Sequence, residues 1–187
     1  LRLEDEASIA ACAQWLRGQG PLHLVVDATG ALTLDGPGPE KRLDELDAAH
    51  LARAMAVNAI GPALLLKHVS PLLAQGERVI WAKLSARVGS IEDNHKGGWY
   101  GYRASKAALN QLVHTAAIEL ARRNKQALCV ALHPGTVDTG LSQPFAKTGL
   151  TVRPPALAAQ ELLQVIDALP EGSSGGFFDH QGLAIPW

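Results

Sequence analysis

At 187 residues with 47% hydrophobic residues, the chain is long enough for one domain with a sizeable core and too short for two. A net charge of −1, with both signs scattered along the chain, leaves no basic face, which argues against nucleic-acid binding and against a polybasic membrane patch. Two cysteines, Cys12 and Cys129, suit buried thiols in a reducing cytoplasm rather than a disulfide framework, and seven histidines without paired spacing suit no metal. No apolar run approaches the ~20 residues that span a bilayer and no signal peptide is visible, so a soluble cytoplasmic protein is expected, with no membrane partner.

Leu1-Arg2-Leu3 reads as the end of a strand, followed by a helix from Asp5 to Arg17 with Ile9, Ala13 and Leu16 at helical spacing. Gly18-Gln19-Gly20-Pro21 stops it. The nearly all-apolar run Leu22 to Val26 predicts a central parallel strand buried on both faces, ending in Asp27-Ala28-Thr29-Gly30. Asp35 to Arg42, rich in Gly, Pro and charge, predicts an exposed loop near the site. Asp47 then caps a long helix carrying Leu51, Met55, Ile60, Leu64, Leu65 and Val69, with Pro71 near its end. Asn58 lies inside that apolar pattern, where an amide is costly unless fully hydrogen-bonded; it either bends and registers the helix or serves the site.

Arg78 to Leu84 predicts the next strand, delivering Ser85 and Ala86 at its carboxyl end, where ligands bind in open α/β sheets. Ile91 to Trp99 is polar and glycine-rich and would lie over the cleft, with Trp99 either lining a pocket or packing on the sheet top. A helix follows to Arg123, then a buried strand from Gln126 to Leu132 that leads into Pro134-Gly135-Thr136-Val137-Asp138-Thr139. Gln143 to Arg153 predicts a mobile lid, Pro155 to Leu169 a helix, Ser173 to Phe178 a final strand and Asp179 to Gly182 a turn.

The stretch with most chemistry is Tyr100-Gly101-Tyr102-Arg103-Ala104-Ser105-Lys106. Tyr102 and Lys106 stand four apart, so a phenol and an ammonium share one helix face, one turn apart. A cation beside a phenol favours the phenolate and lowers its pKa from about 10. Such a tyrosine can act as the general acid–base of a carbonyl–alcohol interconversion.

With Ser85-Ala86-Arg87-Val88-Gly89-Ser90, Gly97-Gly98-Trp99-Tyr100 and the Pro134 to Thr139 run, the chain resembles the short-chain dehydrogenase/reductase family, in its C-factor-like branch, along essentially its whole length. The resemblance implies a single α/β domain over residues 1–187, a Rossmann-like doubly wound and mostly parallel sheet flanked by helices. It implies an oxidoreductase that uses NADP or NAD, with NADP slightly favoured, on a small-molecule carbonyl or alcohol. It implies Tyr102 as proton donor and acceptor, Lys106 as the group that lowers its pKa and binds the nicotinamide ribose, and Asn58 as the helix kink that holds a relay water. Gly30, Pro134, Gly135, Val137 and Thr139 fall on cofactor-binding positions. The family's carbonyl-binding serine aligns with Ala86, so Ser85 or Ser90 takes over its role, or Tyr102 acts alone. Of the Asn-Asn-Ala-Gly turn only Gly30 matches outright, with Asp27 left as an acceptor. A homodimer or homotetramer built on the helices from Asp47 and Tyr102 is also implied.

No glycine-rich phosphate loop follows a strand anywhere in the chain, so the family's N-terminal strand–helix unit is expected to be missing from this sequence. Together with Ala86 and the altered Asp27 turn, this keeps a second reading open: a non-catalytic dimeric binding or cell-signalling protein on a reductase scaffold.

Overall fold

A computed structural model describes residues 1–34, 36, 38–141 and 152–187. Four strands, β1 (Leu24–Asp27), β2 (Val79–Leu84), β3 (Ala127–His133) and β6 (Phe177–Asp179), form a wholly parallel sheet in the order β1-β2-β3-β6. Two short strands above it, β4 (Thr136–Val137) and β5 (Val152–Arg153), make a second parallel pair. The helices are α1 (Glu6–Arg17), α2 (Ala48–Met55), α3 (Gly61–Val69), α4 (Tyr100–Arg123) and α5 (Pro155–Ala168).

The two-residue period of the strands divides the core. Val79, Trp81, Ala127, Cys129 and Ala131 face a layer built from α1, α3 and α4, with Ile9, Leu65, Val69, Leu109 and Val113 packed against them. Ile80, Ala82, Leu128, Val130 and Leu132 face the other way, onto Leu162, Val165 and Ile166 of α5. Helices on both faces explain why β2 and β3 read as continuous apolar runs. The polar residues within them are Lys83, 1% exposed, and His133 at the end of β3.

Helix starts follow their caps. Asp5 Oδ1 accepts from Ala7 N and Ser8 N, and Asp47 Oδ1 accepts from His50 N at 2.8 Å. The long helix expected from Asp47 is interrupted by a π-helical turn over Ala56–Ile60, with Asn58 at its centre.

Several expectations are corrected. Leu1 and Arg2 are irregular and Leu3–Glu4 is a turn, closed by Asp5 N donating to Arg2 O. Among the described residues β1 is the edge strand, and Leu24 and Val26 are 44% and 42% exposed there, whereas α5 packs over β2 and β3. Cys12 is half-buried and only Cys129 is buried. The last strand starts at Phe177, after a 3₁₀ turn over Glu171–Ser173. The helical stretch Ala48–Leu72, with mean hydropathy 1.3, does have the length and apolarity of a spanning segment; here it supplies Ala59, Leu65, Leu66 and Val69 to the core. Of the expected lid, residues 143–151 lie outside the described residues, and Val152–Arg153 is strand β5.

Candidate active site

The site is built at the carboxyl ends of β1, β2 and β3, where α4 begins. Gly97, Gly98 and Trp99 all have positive φ, so the chain enters α4 through left-handed backbone, a conformation unusual for tryptophan. That entry is held by Glu40: its carbonyl accepts from Trp99 N and its Oε2 accepts from Gly101 N at 3.0 Å. A carboxylate at a helix N-terminus satisfies donors with no intrahelical partner and meets the positive end of the dipole. Glu40 is 4% exposed and Pro39 is also buried, so the Asp35 to Arg42 loop is not exposed throughout. The sequence could not reveal this, because the partner of Glu40 lies some sixty residues downstream.

Tyr102 and Lys106 both sit in the wall of a cavity of ≈ 490 Å³, with Lys106 Nζ 5.7 Å from the Tyr102 ring centroid. Trp99 lines the same cavity and meets the Tyr102 ring edge-on at 6.2 Å, which favours the pocket reading of Trp99. Lys106 Nζ donates a long bond, 3.4 Å, to Leu84 O. Burial pushes the Lys106 ammonium down to about 7, helped by the like charge of Lys83 and opposed by Asp27. Burial pushes the Tyr102 phenol up to about 12. This runs against the lowering expected from the Tyr102–Lys106 spacing: removing the phenolate from water disfavours it, and Tyr102 is a neutral phenol at physiological pH.

Asn58 is 1% exposed and does not line the cavity. Its Oδ1 accepts from Ala31 N and its Nδ2 donates to Ala31 O, both at 2.8 Å, with a weaker bond to Ser105 Oγ. It therefore pins the turn after β1 to the helix that carries Tyr102. Gly30 sits between: a Cβ there would stand 3.1 Å from Asn58 Oδ1 and 3.2 Å from Lys106 Nζ. Pro134, Gly135, Val137 and Thr139 also line the cavity.

Ser85 and Ala86 both reach the cavity, and Ser85 Oγ donates to Asn110 Oδ1 at 2.6 Å. Ser90 does not reach it. It is 1% exposed in the turn beyond, where it accepts from Asp93 N and contacts Trp187 O. The serine question therefore narrows to Ser85 or none. Sequence reading also passed over His133, which lines the cavity and whose pKa falls to about 4 through burial, Arg87 and His180. It passed over Lys83 as well, buried against Asp27 at 3.0 Å. An acidic residue ending one strand and a lysine inside the next all-apolar strand was the available signal.

Comparison with known proteins fits this geometry. A family model described as enoyl-(acyl carrier protein) reductase matches residues 3–154. The short-chain dehydrogenase srdF of Neurospora crassa is 32% identical over 186 residues, covering 95% of this chain and 71% of that one. The chain belongs to the short-chain dehydrogenase/reductase family. Within that family of oxidoreductases it is similar to C-signal of Myxococcus xanthus, 36% identical over 168 residues, which span 90% of this chain and 94% of that protein. Among solved structures, the NADPH-bound carbonyl reductase from chicken fatty liver superposes with a TM-score of 0.86 at 26% identity, over all of this chain and 75% of that one. The parallel sheet with helices on both faces is the Rossmann-like fold of this short-chain dehydrogenase/reductase.

Proposed function

We propose that this short-chain dehydrogenase/reductase interconverts a carbonyl and an alcohol, with NADP or NAD as hydride carrier and Tyr102 as proton donor and acceptor. The observation that carries the reading is the pair itself: a neutral phenol and a lysine with spare donors, side by side in one cavity wall at the carboxyl edge of a parallel sheet. The residues suit a nicotinamide nucleoside. Lys106 Nζ has donor capacity left for ribose hydroxyls, and Gly30 lets backbone approach closely where a Cβ would crowd Lys106. The backbone at Val137 and the Thr139 hydroxyl, in the lining of the same cavity, would hold the carboxamide. The nicotinamide supplies the hydride when bound.

The rest falls to this chain's residues. Tyr102 gives its proton to the carbonyl oxygen as charge develops there. Lys106 stabilises the phenolate left behind, and a ligand that excludes water strengthens that attraction. Asn58 holds the turn against which both work. Ala86 offers no hydroxyl, so turnover is expected to be modest. The working form is a homodimer: Leu66, Leu112 and Ala116 line a groove of ≈ 340 Å³ between α3 and α4, which a second copy would fill. It acts in the cytoplasm.

Replacing Tyr102 by Phe tests the assignment. Carbonyl-dependent NADPH oxidation should fall by about 10²–10⁴-fold with far-UV circular dichroism unchanged; undiminished turnover would sink it. Ala86 and the similarity to C-signal favour a second reading, a non-catalytic dimeric binding or signalling protein. That reading predicts no turnover in the unaltered protein on any carbonyl.

A further inference from the structure

Lys83 Nζ is buried with four acceptors around it, all from one short segment. It lies 2.6 Å from Thr29 O, 3.2 Å from Thr29 Oγ1, 3.0 Å from Asp27 Oδ1 and 3.3 Å from Asp27 O. Asp27 and Lys83 are direct neighbours in the β1–β2 register, 3% and 1% exposed. Asp27 Oδ1 also accepts from Thr29 N and Thr29 Oγ1, at 2.9 and 2.6 Å. The pair therefore gathers the backbone and side chain of Thr29 into one knot, and Gly30, the next residue, abuts Lys106 Nζ and Asn58 Oδ1.

Burying two charges is costly, and a fold that only needed to join two strands would do as well with apolar residues. We propose that Asp27 and Lys83 are positioning residues of the site: their buried ion pair clamps the Ala28–Gly30 turn against Lys106 and sets the charge that Lys106 faces. This deepens the reading of Lys106 as the working cation of the site and rests on it. Among the described residues, the titratable groups that act on or abut Lys106 are Lys83 from β2, Asp27 from β1 and Tyr102 on α4 itself. Lys83 repels the Lys106 ammonium and Asp27 attracts it, so the two residues move its protonation in opposite directions, with Lys83 the stronger.

The test follows the ¹³Cε resonance of Lys106 through a pH titration in lysine-labelled protein, assigned by its loss in Lys106→Met. Lys83→Met should raise the Lys106 midpoint and Asp27→Asn should lower it, each by about half a unit or more. The double variant Asp27→Asn/Lys83→Met leaves no unpaired buried charge and so guards against misfolding of either single variant; it should give a smaller rise. A purely structural pair would leave the midpoint where it is in folded variants, and an unmoved midpoint, or movement in the same direction for both single variants, overturns the proposal. The readout needs neither cofactor nor substrate. An inactive protein whose Lys106 titrates as described defeats the proposed function and leaves this inference standing.

Discussion

The Ser85 hydroxyl donates to Asn110 Oδ1 across 2.6 Å, and both side chains are buried. With its only proton committed to the amide, Ser85 is a poor donor to a substrate oxygen, while Asn110 Nδ2 is left without a partner. Ser85→Ala should therefore cost turnover less than about tenfold, below the 10²–10³ typical of a lost oxyanion donor. It should lower stability by about 1–2 kcal/mol, because the Asn110 oxygen loses its hydrogen bond. Ala86→Ser adds a free hydroxyl in the same cavity and should raise kcat, by up to about tenfold. Steady-state kinetics of the two variants, with urea denaturation of Ser85→Ala, check both statements.

Gly30→Ala should damage the site more than the fold. The backbone there has φ +142°, and the added Cβ would press on Asn58 Oδ1 and Lys106 Nζ. Strain of about 1–3 kcal/mol is expected in denaturant unfolding. A loss of turnover larger than that destabilisation explains would show that the turn and Lys106 are coupled.

The α4 entrance gives a third prediction. Glu40→Ala removes the carboxylate from Gly101 N and should cost about 1–2 kcal/mol in urea unfolding. Glu40→Gln keeps an acceptor and should cost less. Because Trp99 and Tyr102 follow directly, the Ala variant should also lose activity.

His133 makes stability depend on acid pH. Its pKa falls from the ordinary 6.5 to about 4, first through burial and then through Arg87 and His180. Between those values the unfolded chain binds the proton and the fold does not, so stability declines as pH drops from 6.5 towards 4 and this contribution then levels off. A neutral replacement, His133→Gln, should flatten that part of a stability–pH curve measured by chemical denaturation.

Much of the fold was legible because β2 and β3 are buried on both faces and so read as unbroken apolar runs, and because Asp5 and Asp47 announce their helices. The same apolar pattern marks β1, which lies at the edge of the described sheet with Leu24 and Val26 exposed. At the site, Tyr102 and Lys106 were readable from helical spacing, and the Pro134 to Thr139 wall from a turn after a strand. The pairings across the chain were not. Glu40 with Gly101, Ser85 with Asn110 and Asp27 with Lys83 join residues brought together only by packing. The direction of the Tyr102 shift was missed because spacing reveals the nearby cation and not the depth of burial that opposes it.

The most direct test of the central claim, that the Tyr102–Lys106 cavity receives a nicotinamide nucleotide, is a fluorescence titration of NADPH and NADH into the protein and into Lys106→Met. Saturable binding is predicted, weakened roughly tenfold or more in the variant through loss of a charge-assisted hydrogen bond, with Tyr102→Phe binding as the unaltered protein does. Absence of binding by both nucleotides, or equal binding by Lys106→Met, would contradict the account.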